Sequence, residues 1–556
     1  MMMAVLPGNA QNRVAYEDPN FGNLLSKRAI PIVTINFINV PNNYNKEINI
    51  EYTVVSFLGQ ESHTIVLDKP KSVSLTLQHP FPYQQIFVSI DSILYTCVYA
   101  VSALSIEIDL KRIIASGKEV EFFGPGVRYT KKDGPLNTYM NQYLVYERNN
   151  VDKIQQKLQA IPRFTATTKT AYVLQIQEMF DSLKAIQNRY VKQTSPAFVW
   201  LLENERMSEY YTEILKRSWG LPLDSSMLNK ISKHYTYAIT NNSYLLYRYL
   251  QAYIQTNPSA MVKVSWQEIN RDHLDENLQR LYDSLSKYHT APASDSMVSA
   301  KKLQWVKQLQ SYHSTILAEK SFNRMVTIID SLFKGTKADL LKMNMNNSKD
   351  LLEQKQTLKK LILLVQSAWV GNFLTSLYKK TVAQTEQIDA IIHQSSNNNT
   401  STSNYWKPIL TTDFGATLYK VSKTDANLFL RKLREDHAGK SVFIDIWATW
   451  CSPCIQEMPY SKKLHEESKA LPVVFMYLCT ENGSDEEKWK RKIIELKQPG
   501  IHFFIDQQLD NDIMRLFSFS GYPSYILFHK NGTFKSGFQL RPSTIQGIQG
   551  LADLLK

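Results

Sequence analysis

A buried-strand run ending in two cysteines three residues apart places the tightest constraint on this chain. Ser441-Val-Phe-Ile-Asp-Ile-Trp447 is almost continuously apolar, as a strand covered on both faces must be. It leads through Ala448-Thr-Trp450 into Cys451-Ser-Pro-Cys454, and Ile455-Gln-Glu-Met458 then starts a helical pattern. Residues i and i+3 at a helix start lie close enough for disulfide geometry, whereas nearer neighbours point apart. A C-x-x-C between strand and helix therefore reads as a redox pair. Zinc is the competing use, but neither His465 nor Cys479 supplies the spacing of a second ligand pair. With only Cys97, Cys451, Cys454 and Cys479 in 556 residues, the chain is no disulfide scaffold. Cys97 and Cys479 sit in strand-like apolar runs and read as buried thiols.

The remaining residues are enough for further domains: 43% are hydrophobic and 21% charged, so sizeable cores are available. From Ile30 to Phe123 the pattern alternates, as in Val33/Ile35/Phe37, Ile48/Ile50/Tyr52/Val54, Val73/Leu75/Leu77, Ile86/Val88/Ile90, Tyr95/Cys97/Tyr99 and Ile106/Ile108/Leu110. Short strands at regular spacing predict a small β-sandwich. After Gly124-Pro-Gly126 the period becomes helical. Val173, Ile176, Phe180, Leu183 and Tyr190 form one stripe, and helices are predicted over Leu303–Leu317, Phe322–Phe333 and Leu351–Tyr378. Ser395–Asn404 is a polar low-complexity run of linker type. Strand-like and helical segments then alternate, an α/β signature. The expected architecture is multidomain: a β-sandwich-like domain over 1–125, an irregular all-α domain over 126–392, a flexible linker over 393–408 and an α/β domain over 409–556.

Several functional classes fall away. Net charge is +13, but the Lys and Arg residues are scattered along helices without a basic-aromatic motif. They read as a solvated surface, and no nucleic-acid partner is expected. No apolar run approaches the roughly 20 residues of a membrane span. No H-E-x-x-H or paired histidine spacing occurs, so no metal and no cofactor beyond the dithiol itself is expected. At the start, Met1–Leu6 is apolar and Gly8-Asn-Ala10 offers the small residues of a signal-peptide cleavage site. Residues 1–10 thus read either as a signal-peptide remnant or as an ordinary frayed terminus.

Trp-Ala-Thr-Trp-Cys-Ser-Pro-Cys over 447–454, followed by Glu457-Met-Pro459, resembles the thioredoxin superfamily. Within it the motif is most similar to the TlpA/ResA-like extracytoplasmic thiol-disulfide oxidoreductases. Gly521-Tyr-Pro-Ser-Tyr-Ile-Leu-Phe-His-Lys-Asn-Gly532 resembles the family's cis-proline strand and hairpin. The likeness covers about the last quarter of the chain. The front end is loosely similar to the β-plus-helical extensions carried by such proteins in Bacteroidetes. The resemblance implies a thioredoxin-like fold for residues 409–556 and a bacterial periplasmic setting.

The matching residues have physical roles in that frame. Cys451, just before the helix, is favoured as a thiolate by unpaired N–H groups and the dipole, and is the expected exposed nucleophile. Cys454, one turn in and more buried, is expected to resolve the mixed disulfide. Ser452 and Pro453 form the dithiol loop, where a first-turn proline forgoes little. Pro459 falls inside the helix and is expected to kink it. Asp445 interrupts the buried strand; the family pattern puts it beneath the resolving thiol, where a raised pKa would let it take the Cys454 proton. Pro523 matches the cis-proline, which would set the Tyr522 backbone beside Cys451 to pair with substrate chain. Trp450 is a candidate platform, and Glu457 a candidate acid or simply a first-turn, dipole-stabilised carboxylate.

The function that follows is a thiol-disulfide oxidoreductase reducing disulfides of extracytoplasmic proteins, itself fed by an upstream thiol donor. An oxidase or isomerase of the same fold, or a partner-binding protein with an accessory redox domain, stays open. A thiol peroxidase is disfavoured because residue 444, seven before Cys451, is Ile rather than the Pro that chemistry uses.

Overall fold

Alternation in the first 130 residues does produce two packed sheets. In the computed structural model the described residues are 14–42, 44–256, 272, 274, 276–285, 300–346, 348, 350–395, 403 and 405–556. The strands are β1 (Ile32–Ile38), β2 (Ile48–Ser56), β3 (Gly59–Leu67), β4 (Val73–Leu75), β5 (Gln84–Ile90), β6 (Leu94–Ala100), β7 (Ala103–Asp109), β8 (Val120–Glu121) and β9 (Val127–Thr130). One sheet runs β4-β1-β7-β9 and the other β3-β2-β5-β6-β8. Val33, Ile35, Ile106 and Ile108 of the first meet Ile50, Tyr52, Ile86, Val88 and Val98 of the second in one apolar core.

Three expectations change here. The sandwich does not stop at residue 125, because β9 pairs antiparallel with β7 through Thr130. Leu110 opens a helix instead of closing a strand: the Asp109 carboxylate caps it by accepting the Arg112 N–H at 3.0 Å. And β3 was not foreseen, since as an outer strand it exposes Gln60, Glu61 and Ser62 and has no alternating apolar face.

The second stretch is helical, as expected. Lys169–Gln193 buries Ile176, Phe180, Leu183 and Tyr190. Two boundaries move. The helices foreseen over 303–317 and 322–333 are one helix, Ala300–Leu332, and the one foreseen over 351–378 is two, Leu351–Leu364 and Ala368–Ser395. The break has a polar cause: buried Asp339 accepts the backbone N–H groups of Gln366 (3.0 Å) and Ser367 (2.7 Å).

The chain divides into two compact units, Met1–Asn347 with Lys360–Leu374, and Ser348–Lys359 with Thr375–Lys556. Sandwich and most helices thus share a unit, where separate β and all-α domains over 1–125 and 126–392 were expected. The expected linker over 393–408 begins inside the Ala368–Ser395 helix, and its end is ordered: Trp406 packs on Phe429 and Phe503. Its residues 396–402 and 404, like residues 1–10, lie outside the described residues.

The second unit carries a seven-stranded sheet. Its strands are β10 (Leu410–Thr411), β11 (Ala416–Val421), β12 (Ser441–Trp447), β13 (Val473–Thr480), β14 (Gly500–Ile505), β15 (Ser524–Phe528) and β16 (Phe534–Ser536). The order is β10-β11-β14-β13-β12-β15-β16, so β12 is central, parallel to β13 and antiparallel to β15. Period two splits β12 cleanly. Val442, Ile444 and Ile446 join one cluster with Phe429 and Leu433, and Phe443 and Trp447 join the other with Cys454 and Met458. By that alternation Asp445 faces the dithiol side.

Candidate active site

The end of β12 delivers Cys451 to the first turn of the helix Ser452–Glu467. Cys451 is the N-cap residue, and Pro453 occupies the first turn with Ser452, both exposed. Cys451 and Cys454 are joined as a disulfide, with their Cα atoms 5.3 Å apart. The Cys454 N–H donates to Cys451 Sγ at 3.2 Å, so the sulfur that would carry the thiolate already receives a helix N–H. Cys454 is fully buried, as expected. Cys451 was expected to be exposed but is only 4% so: in the disulfide its sulfur is bonded to Cys454 and turned toward the helix end. Pro459 does lie within the helix.

Asp445 is fully buried and pairs in register with Tyr477 on β13 and Tyr525 on β15. Neither carboxylate oxygen has a protein partner among the described residues. Burial, helped by the nearby Glu457 charge, pushes its carboxyl well above the usual range. An uncompensated buried carboxylate is unfavourable, and here it stands on the face of the sheet that carries the resolving thiol. It is placed to hold a proton and to give it up when charge moves nearby.

Glu457 is buried and is held by three donors from the far end of the chain. Arg541 Nε donates to it at 2.8 Å, and the Ser543 N–H and hydroxyl each donate at 2.9 Å. This geometry makes Glu457 an ion-paired acceptor and a source of negative field on Asp445, where a candidate acid was expected.

Tyr522-Pro523 is a cis peptide bond. Tyr522 packs against the apolar cluster that contains both cysteines. Its ring meets that of Trp450 edge-on, with centroids 5.8 Å apart. Trp450 is 57% exposed, and its indole N–H donates to the Asn482 carbonyl at 2.8 Å. Gly483 makes this possible: with φ +72°, a Cβ there would lie 2.8 Å from the indole nitrogen. The structure therefore gathers Cys451, Cys454, Asp445, Trp450, Tyr522, Pro523 and Glu457 into one unit. Sequence reading missed Arg541, Ser543, Asn482 and Asp510, the partners that fix these side chains. They lie 12 to 86 residues from the groups they hold, so no local spacing announces them.

The other two cysteines are different in kind. Burial pushes the Cys97 thiol up to about 12, and raises that of Cys479 as well. Both are free and buried. Among the described residues, no group of three or more His, Cys, Asp or Glu is placed to hold a metal ion.

Residues 416–546 match the family model described as Redoxin. Over 100 residues the chain is 30% identical to the thiol-disulfide oxidoreductase ResA of Geobacillus kaustophilus, a stretch covering 18% of this chain and 55% of that protein. It is 32% identical over 98 residues to ResA of Bacillus thuringiensis subsp. konkukian, covering 18% and 54%. The chain thus spans about half the length of the curated relatives it matches. Among solved structures, it is similar to the thioredoxin domain of a thiol-disulfide oxidoreductase from Bacteroides vulgatus. That likeness has 23% identity, covers 22% of this chain and 84% of that one, and has a TM-score of 0.19.

Proposed function

We propose that this chain, a thioredoxin-superfamily protein of the TlpA/ResA-like kind in its last quarter, is a thiol-disulfide oxidoreductase that reduces protein disulfides through Cys451 and Cys454. The observation that carries this reading is the Cys451–Cys454 disulfide at the start of a helix, on the same face of the sheet as the orphaned Asp445 carboxyl.

In the reduced protein the Cys451 thiolate attacks a substrate disulfide, and one substrate sulfur leaves as a thiolate that takes a proton. Cys454 then attacks Cys451 Sγ, forming the intramolecular disulfide and releasing the second substrate sulfur. Asp445, in its ionised form, accepts the Cys454 proton, through water, as that thiol becomes the nucleophile. The dithiol supplies the two electrons the substrate gains. Of the two protons, one is the Cys454 proton passed on by Asp445, and the other returns from solvent, which took the Cys451 proton when the thiolate formed. An upstream thiol donor restores it, and no separate cofactor enters.

Two features support a reductase. No Lys, Arg or His lies between Trp447 and Met458, and the buried titratable side chains on this stretch and its strand besides the cysteines, Asp445 and Glu457, are carboxyls rather than cations. Beyond the helix end, the thiolate therefore gains no help from a cation among its sequence neighbours, and a weakly stabilised thiolate makes a reducing couple. The setting is the bacterial periplasm, a reading supported by the TlpA/ResA-like resemblance. No helix among the described residues is long and apolar enough to cross a membrane.

Equilibrating the full chain in dithiothreitol and glutathione buffers, with alkylation and mass spectrometry of Cys451 and Cys454, tests this. The expected potential lies nearer thioredoxin's, about −270 mV, than the roughly −120 mV of a strong oxidant. A disulfide that glutathione reduces readily would indicate an oxidase or isomerase instead.

A further inference from the structure

Asp510 sits where a helix of this amphipathic kind should be apolar. The helix Gln507–Leu516 turns Leu509, Asp510 and Ile513 inward, and Asp510 is 1% exposed. A buried carboxylate at a packing position is unfavourable unless a strong donor compensates it. The close donor is the Tyr522 hydroxyl, 2.6 Å from Asp510 Oδ2, and the Thr480 hydroxyl is a second partner. Burial raises the carboxyl above its usual range, and burial with the Asp510 charge raises the phenol, so the phenol keeps its proton as donor. Tyr522 is also the residue of the cis bond to Pro523 and the ring against which Trp450 rests.

We infer that Asp510 is a positioning residue for polypeptide substrates. Through the Tyr522 hydroxyl it fixes one end of an aromatic ledge whose other end, Trp450, is fixed by the Asn482 carbonyl. The inference rests on the dithiol-exchange reading above and adds the substrate form. The ledge is an exposed indole and a half-buried phenol flanking the disulfide. It offers area and edges to an extended chain lying along the Tyr522-Pro523 backbone, and much less to a small disulfide that needs only the sulfur. Each ring is held at its polar tip, the indole by the Asn482 carbonyl and the phenol by Asp510, with the Thr480 hydroxyl as a second partner. Removing Asp510 takes away the acceptor of the phenol proton, leaves Thr480 as the hydroxyl's partner and loosens the Tyr522 ring. Docking then bears the loss, while the cysteines, whose helix Asp510 does not touch, keep their chemistry.

The test compares the full chain with Asp510→Leu, Asp510→Asn and Tyr522→Phe, using reduced protein and two substrates. One is a disulfide-bearing polypeptide such as insulin, the other 5,5′-dithiobis(2-nitrobenzoic acid). The expected result for Asp510→Leu is a KM for the polypeptide raised about tenfold, with kcat within about twofold. The ratio of polypeptide to small-disulfide rate falls by the same tenfold. Asp510→Asn, whose amide oxygen still accepts the phenol proton, returns KM to within about threefold of wild type. Tyr522→Phe, which removes the donor itself, raises the polypeptide KM at least as far, and it decides the question if Asp510→Leu does not fold. An unmoved KM in the folded variants, or a parallel fall with both substrates, overturns the inference. Wild-type protein that reduces neither substrate would instead overturn the exchange reading beneath it.

Discussion

Two sets of buried polar groups, one in each unit, are handled in opposite ways. In the first, Asp133, Asn137 and Asn141 stand four residues apart at the start of the helix Gly134–Ala160 and face the part of the β6 edge, and the turn after it, that β8 does not pair. Asp133 accepts the N–H groups of Val101 (2.9 Å) and Ser102 (2.7 Å). Asn137 accepts the Tyr99 N–H at 2.7 Å and donates to the Tyr99 carbonyl at 3.0 Å. Asn141 donates to the Cys97 carbonyl at 2.8 Å. Three side chains at helical spacing act as a substitute strand, closing a sheet edge that would otherwise present unpaired groups. In the second unit Asp445, equally buried, has no partner for either oxygen among the described residues. The contrast separates architecture from chemistry. A buried polar group whose bonds are all made holds structure, and a carboxyl left unsatisfied on the face that carries the reactive sulfurs can take a proton from them.

If that division is right, substitutions on the two sides should fail in different assays. The largest effect is expected from Cys451→Ala, which removes the attacking sulfur. Insulin reduction driven by dithiothreitol should fall by roughly three orders of magnitude or more, with thermal unfolding of the first unit unchanged. Retained turnover would move the chemistry elsewhere.

Next is Asp445→Asn. Stopped-flow kinetics on a model disulfide should show resolution slowed on the order of 10²-fold, the size of a lost general base. Mixed-disulfide formation should change little, because only the second step removes the Cys454 proton. Equal slowing of both steps would take Asp445 out of the mechanism.

Asn137→Ala tests the other side. It strands the buried N–H and carbonyl of Tyr99, a loss of about 2–3 kcal/mol, read by urea unfolding. The exchange rate should stay within about twofold, and a parallel loss of exchange would blur the distinction.

The smallest effect is a pH slope. The folded carboxyl of Asp445 is raised, so above about pH 4 the unfolded chain has released a proton that the folded chain still binds. Its contribution to stability therefore declines as pH rises from about 4 to its folded pKa, at up to about 1.4 kcal/mol per pH unit. Asp445→Asn should gain on wild type across that window, measured by urea titration at several pH values. No pH-dependent gain would mean that Asp445 is solvated.

How far the sequence reveals this division depends on the range of the interactions. Strand, dithiol and helix are contiguous, so Ser441–Cys454 could be read directly, as could the interruption at Asp445. The sandwich could be read where one face of a strand is buried, and not at β3, whose exposed position erases the alternation. Cys97 and Tyr99 were placed in the sandwich pattern, yet they face Leu136, Tyr139 and Met140 of the helix, because β6 is covered on both sides. The Asp133-Asn137-Asn141 spacing is visible in the sequence, but its strand lies about 40 residues back and no periodicity points to it. Glu457 reads locally as a first-turn carboxylate, but the helix starts at Ser452 and puts it in the second turn, and only folding brings Arg541 to it.

The most direct test of the central claim traps the reaction at its first sulfur. Reduced full-length Cys454→Ser protein is mixed with a disulfide-bearing polypeptide, quenched in acid and mapped by mass spectrometry. A mixed disulfide on Cys451, with Cys97 and Cys479 unmodified, is the predicted result. No adduct on Cys451, or an adduct on either of the buried thiols, would contradict the account.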